Sequence, residues 1–182
     1  MRIRVLPQSL QQGFSLLELT VSATVFVIAF GAIITNLVVG MSLRESTREI
    51  SIAIEGAQTT AEILRGEDFA TLFARYNSNP NDDPNGVGTA PGSGFAVPGL
   101  TATPDDVDGL AGEILFPGDG TSLFESVNDA ASGMPRDLNA DGVIDLLDHA
   151  LDYTNLPIRI QISWRGKTGT HSIEILTSLT EM

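Results

Sequence analysis

A chain of 182 residues with 42% hydrophobic content is long enough for one domain with a real core. Its formal net charge of -13 disfavours direct contact with nucleic acid or anionic lipid surfaces. With no cysteine, the fold has no disulfide staples and depends on packing, a partner or a metal ion.

In chain order, the only charges before Glu18 are Arg2 and Arg4, and residues 19–43 carry none. About 25 charge-free positions at about 1.5 Å of helical rise exceed the roughly 30 Å of bilayer hydrocarbon, so this stretch predicts one membrane-spanning helix. Basic residues ahead of a span stay in the cytoplasm, which sends the C-terminal part outward. Three readings compete for residues 1–43. A secretory signal cut near Val38-Val39-Gly40 needs an unusually long leader with an acid at the start of its apolar region. A plain signal anchor explains the length and leaves Glu18 as an acid lying at the headgroup level.

The third reading accounts for the whole stretch. Gly13-Phe14-Ser15-Leu16-Leu17-Glu18 at the mouth of a span, behind a short basic leader, resembles the processing motif of type IV prepilins and type II secretion pseudopilins. The resemblance covers the first third of the chain. It implies that a prepilin peptidase cuts after Gly13, that Phe14 becomes a methylated N-terminus, and that Glu18 pairs with the new amine of a neighbouring subunit during filament assembly. A carboxylate and an ammonium are each costly alone in lipid and tolerable together, so the acid would set the register between helices. The mid-span proline of many major pilins is absent, with Thr35 and Asn36 near that point; Gly31 and Gly40 are the weak points left in the helix.

Beyond the span, Leu43, Ile50, Ile54, Ala57, Ala61 and Leu64 recur at helical spacing while the charged residues largely take other faces. Arg65 and Gly66 predict its end. The expected divisions are a leader at 1–13, a transmembrane half at 14–43, an amphipathic half at 44–66 and a globular head at 67–182. Residues 77–109, rich in Asn, Asp, Pro and Gly, predict a long surface loop with a short strand at 95–97. Residues 113–116 predict a strand ended by Pro117-Gly118-Asp119-Gly120, and 121–134 stay mostly unassigned. Residues 157–180 predict a hairpin in which Ile158, Ile160, Ile162 and Trp164 point inward. The fold class expected is α+β: a pilin-like lollipop with the long helix packed on a small antiparallel sheet, the terminal hairpin being similar to minor pilins and minor pseudopilins.

The segment DLNADGVIDLLD places Asp137, Asn139, Asp141, Val143 (through its carbonyl), Asp145 and Asp148 at loop positions one, three, five, seven, nine and twelve, with Gly142 at the sharp turn. It resembles an EF-hand loop, or a dockerin loop with its terminal Asp, and predicts a structural calcium ion. Ile144 would point into the core, Asp145 would act through water, and an exit helix is expected from Leu146 onward. The plainer alternative is an acidic Asx-rich turn on the surface. His149 and His171, the only histidines, lie in no HExxH or triad-like setting and read as surface or partly packed side chains. No residues are singled out as catalytic.

The expected function is therefore that of a structural minor subunit of a type IV pilus or type II secretion filament and not of an enzyme. Its expected partners are prepilin peptidase, other pilin or pseudopilin subunits and the inner-membrane assembly platform. It would reside as a single-pass protein in the cytoplasmic membrane, head outward, and then in the filament. The alternative is a pilin-anchored, calcium-dependent adhesion or recognition module; an anchored enzyme is a third reading.

Overall fold

The computed structural model describes residues 15–181. It is an α+β protein. Helix α1 (Leu16–Gly66) and a short α2 (Phe69–Tyr76) precede the strands β1 (Gly94–Phe95), β2 (Gly112–Leu115), β3 (Asn155–Gly166) and β4 (Gly169–Thr180). The boundary between two compact units falls between Leu43 and Arg44.

The start of α1 is written in its first residues. Ser15 accepts the Leu17 amide on Oγ at 3.2 Å and the Leu19 amide on its carbonyl at 3.1 Å, which makes it the N-cap. Glu18 therefore stands three residues on, the capping-box position, where a carboxylate also complements the helix dipole. Over residues 19–43 the apolar side chains are exposed, and α1 is the one helix among the described residues long and apolar enough to cross a membrane. Its threonine and asparagine side chains in that stretch are satisfied within the helix itself. Thr20 donates to the Leu17 carbonyl, Thr24 to that of Thr20, Thr35 to that of Gly31 and Asn36 to that of Ala32, all at 2.8–3.0 Å. The helix runs unbroken through Gly31 and Gly40.

In the second unit, α1 packs on the sheet through small residues. Ala53, Ala57, Ala61 and Leu64 are buried, whereas Leu43, Ile50 and Ile54 are exposed, so the inward stripe is rotated from the expected one. Close approach is the reason. A Cβ on Gly56 would lie 2.9 Å from Val97 Cγ1 and 3.5 Å from Ile162 Cδ1, so Ala and Gly let the helix sit where larger Ile side chains would hold it away. Trp164 donates its indole N–H to Glu49 at 3.2 Å, tying β3 to the same helix.

The sheet is antiparallel throughout, in the order β1-β2-β3-β4. Ile114 lies opposite Ile160, Ile160 opposite Ile175 and Trp164 opposite His171. Leu156, Ile158, Ile160, Ile162 and Trp164 form the buried face. The hairpin exceeds its expected limits by two residues at the start and closes on Lys167-Thr168, between paired Gly166 and Gly169. Gly169, at φ 127°, supplies a backbone conformation that other residues rarely adopt. His171 stacks on Trp164 and bonds Thr168.

Helix α2 was not foreseen. It buries Leu72, Phe73 and Tyr76, with Phe73 edge-on to Phe116 and Tyr153. The expected strand at 95–97 is shorter and starts earlier, at Gly94–Phe95, with Val97 buried against α1. The remainder of 77–109 is irregular yet tied down: Asn77 is buried and bonds Asp82 and the Asn79 amide, and Gly92 donates to the Arg75 carbonyl.

Candidate functional site

Gly13 and Phe14 lie outside the described residues. Glu18 sits exposed on the first turn of α1. The calcium-type loop can be followed atom by atom.

Its opening half is wound by its own side chains. Asp137 accepts the Ala140 amide at 2.6 Å and the Gly142 amide at 2.8 Å; Asn139 Oδ1 accepts Asp141 N at 3.1 Å; Asp141 Oδ1 accepts Val143 N at 2.7 Å. Ala140 (φ 64°) and Gly142 (φ 88°) take the left-handed conformations that let the chain wrap inward. The donor set here is hard oxygen, which fits calcium.

The closing half differs from expectation. No helix follows the loop, and Ile144 is exposed with Val143, Leu146, Leu147 and Leu151. The amides a helix would pair with its own carbonyls are claimed by side chains. Asp145 Oδ1 accepts Leu147 N at 2.7 Å, and Asp148 Oδ1 accepts Leu123 N at 2.9 Å and Ala150 N at 3.1 Å. Asp148 is thereby drawn into a bridge with Phe124.

Beneath the loop lies a cluster that the sequence did not disclose. Glu125 is fully buried, and its carboxylate accepts the amides of Leu138 (2.6 Å), Asn139 (3.3 Å) and Asp145 (3.2 Å), so one side chain holds both ends of the turn. His149, also buried, sets Nδ1 3.1 Å from Asp152 Oδ1 and Nε2 3.2 Å from Asp145 Oδ1 and 3.7 Å from Glu125 Oε2. Burial alone would lower the His149 pKa; bonds to Asp145 and Asp152 and the charge of Glu125 outweigh it and raise the value above the ordinary histidine range. The Asp145 carboxyl is held below its ordinary range by the Leu147 amide, with His149 adding to the effect against some burial.

Among the described residues, the ligand atoms of Glu125, Asp145 and His149 converge within 4.8 Å of one another. The structure thus joins Asp145, a residue of the expected calcium set, to a histidine and a glutamate outside it. His149 is neither on the surface nor isolated. The spacing Asp145-x-x-x-His149-x-x-Asp152 is the signal available in the sequence, since it keeps three polar groups within eight residues of chain. Glu125, in the unassigned stretch, carried none: it arrives through the amide of Leu123 on Asp148 and the His149 amide on the Leu123 carbonyl at 2.8 Å. Comparison of the chain with family models, with curated proteins and with solved structures finds no match.

Proposed function

We propose that the chain is a minor pilin or pseudopilin, a structural filament subunit anchored in the cytoplasmic membrane by the first half of α1 with its head outside. Prepilin peptidase would cut it after Gly13 and Phe14 would be methylated. The observation that carries this reading is α1 itself: an N-cap at Ser15, an acid in the first turn, an exposed charge-free apolar run, and then the same helix closing the core of a small sheet. In the bilayer the backbone and the threonine and asparagine side chains are already paired within the helix, and Glu18 is the group left needing a cation. A cleaved neighbour's N-terminal amine supplies one. Mass spectrometry of the chain from cells should give a methylated Phe14 start; an intact Met1 or a distant downstream terminus sinks the reading. Glu18→Gln separates the two roles of that acid, since glutamine also serves in a capping box but carries no charge. Filament incorporation should fail in Glu18→Gln as in Glu18→Ala with membrane insertion intact, whereas rescue by Gln assigns Glu18 to capping alone.

A second reading, a calcium-dependent recognition head, draws on the turn at 137–143 and on the exposed Val143, Ile144, Leu146 and Leu147 beside it. Asp137, Asn139, Asp141 and the Val143 carbonyl would hold the ion, which would supply charge neutralisation for the turn. Asp148 holds the Leu123 and Ala150 amides on Oδ1, which leaves Oδ2 as the oxygen it would offer an ion. Calcium at about a hundredfold over its Kd should stabilise the full chain by about 2.7 kcal/mol in thermal melting, lost in Asp137→Asn. Superposed melting curves with calcium and with chelator remove the ion.

A further inference from the structure

We infer that Glu125, Asp145 and His149 form a binding site for one divalent transition ion of the zinc type, set beside the calcium-type turn and separate from it in donor chemistry. The His149 and Glu125 side chains are 4% and 1% exposed, so both ligands are held out of water, while Asp145, at 32%, leaves an approach from outside.

Tautomer and geometry give the reason. Nδ1 of His149 faces the Asp152 carboxylate at 3.1 Å, which keeps a proton on that nitrogen, while Nε2 becomes a ligand when an ion displaces the proton it shares with Asp145 at 3.2 Å. This is the carboxylate–histidine arrangement that orients metal-bound imidazoles. Nε2 then points at Asp145 Oδ1 and Glu125 Oε2, 3.2 and 3.7 Å away. Once the Nε2 proton is displaced, three atoms offering electron pairs converge around one position. A proton on Nε2 satisfies one oxygen at a time; a metal ion satisfies all three. Tetrahedral zinc with bonds of 2.0–2.2 Å holds its ligand atoms about 3.3 Å apart, within a few tenths of an ångström of the two separations from Nε2, and all three ligand atoms lie within 4.8 Å of one another. Asp145 Oδ1 and Glu125 Oε2 each accept one backbone amide, and each keeps a second lone pair for an ion. Three amides also hold the Glu125 carboxylate in place before any ion arrives.

The donor set selects the ion. One imidazole and two carboxylates suit zinc and its neighbours, whereas calcium wants six to eight oxygens. An ion here would cross-link segments around 125, 145 and 149 in a chain that has no cysteine, and would do so whether or not the chain enters a filament.

The full chain, stripped of metal in detergent micelles and saturated with calcium, should bind one zinc ion by calorimetry and melt at a higher temperature with it. His149→Gln should weaken zinc by at least about a hundredfold, and the positioning change Asp152→Asn by about tenfold or more. His171→Gln should leave zinc binding as it is. Because His149→Gln could unfold the loop, the wild-type zinc-edge absorption spectrum gives a second reading, with one imidazole nitrogen expected in the shell. The site is overturned if zinc gives no heat and no melting shift, if the shell is all oxygen, or if excess calcium abolishes the binding. A chain that takes zinc but not calcium keeps this site and loses only the calcium turn.

Discussion

The two halves of α1 meet opposite demands with one backbone geometry. In residues 16–43 the threonine and asparagine side chains bond carbonyls of their own helix and the apolar ones stay uncovered. In residues 44–66 the helix contributes Ala53, Gly56, Ala57 and Ala61 to a core, and its polar Glu49 is bonded from another element by Trp164. Local hydrogen bonding thus makes the first half self-sufficient for an apolar solvent, while tertiary packing accounts for the second.

A carboxylate placed in each half tests that contrast most severely. Ala57→Asp buries an unpaired charge against the sheet and should cost the head about 3–5 kcal/mol, enough to unfold it. Ala29→Asp should leave the head's melting unchanged and oppose membrane insertion by about 2.5–3.5 kcal/mol. Circular dichroism and a membrane-fractionation assay read the two effects. If both variants damage the same property, the halves are not doing different work.

Glycine sharpens the comparison. Gly56→Leu pushes a side chain into Val97 and Ile162 and should destabilise the head by about 1–3 kcal/mol. A Cβ at Gly31 meets nothing within 4 Å, so Gly31→Ala gains helix propensity, up to about 1 kcal/mol in an exposed helix, and leaves the core untouched. A stable Gly56→Leu head, measured by urea titration, would mean that helix and sheet are not in close contact there.

What the sequence disclosed follows the same division. Charge and run length are local properties, so a helix long and apolar enough to cross a membrane could be read directly. The strand period of Ile158, Ile160, Ile162 and Trp164 was local too, and the hairpin formed as expected. Half of the expected stripe on α1, Ala57, Ala61 and Leu64, is buried, whereas Ile50 and Ile54 are exposed because the sheet selects the small residues that permit close packing. The opening turn at 137–143 was legible because Asx side chains bond amides only two to five residues away. The closing half was not, since its course depends on Leu123 and Glu125, more than a dozen residues upstream, claiming Asp148 and the Asp145 amide. Nothing in the segment itself announces such partners. Helix α2 escaped for a related reason: it is too short for a clear period and is held by Tyr153, whose hydroxyl accepts the Phe73 amide and donates to the Phe69 carbonyl.

The smallest expected effect probes the polar bonds themselves. Trp164→Phe keeps most of the ring's buried area and deletes the N–H that Glu49 accepts, so the loss is one hydrogen bond to a partly exposed carboxylate, about 1 kcal/mol. Glu49 can turn to water, which limits the penalty. Asn36→Leu removes a bond of similar length, 2.8 Å to the Ala32 carbonyl, but that bond is internal to the helix and its carbonyl still serves the backbone ladder. The head's denaturant midpoint should therefore shift for Trp164→Phe and stay fixed for Asn36→Leu. Equal shifts would show that the first half of α1 is coupled to the head's core in a way that self-contained hydrogen bonding does not provide, and the separation of tasks along one helix would have to be abandoned.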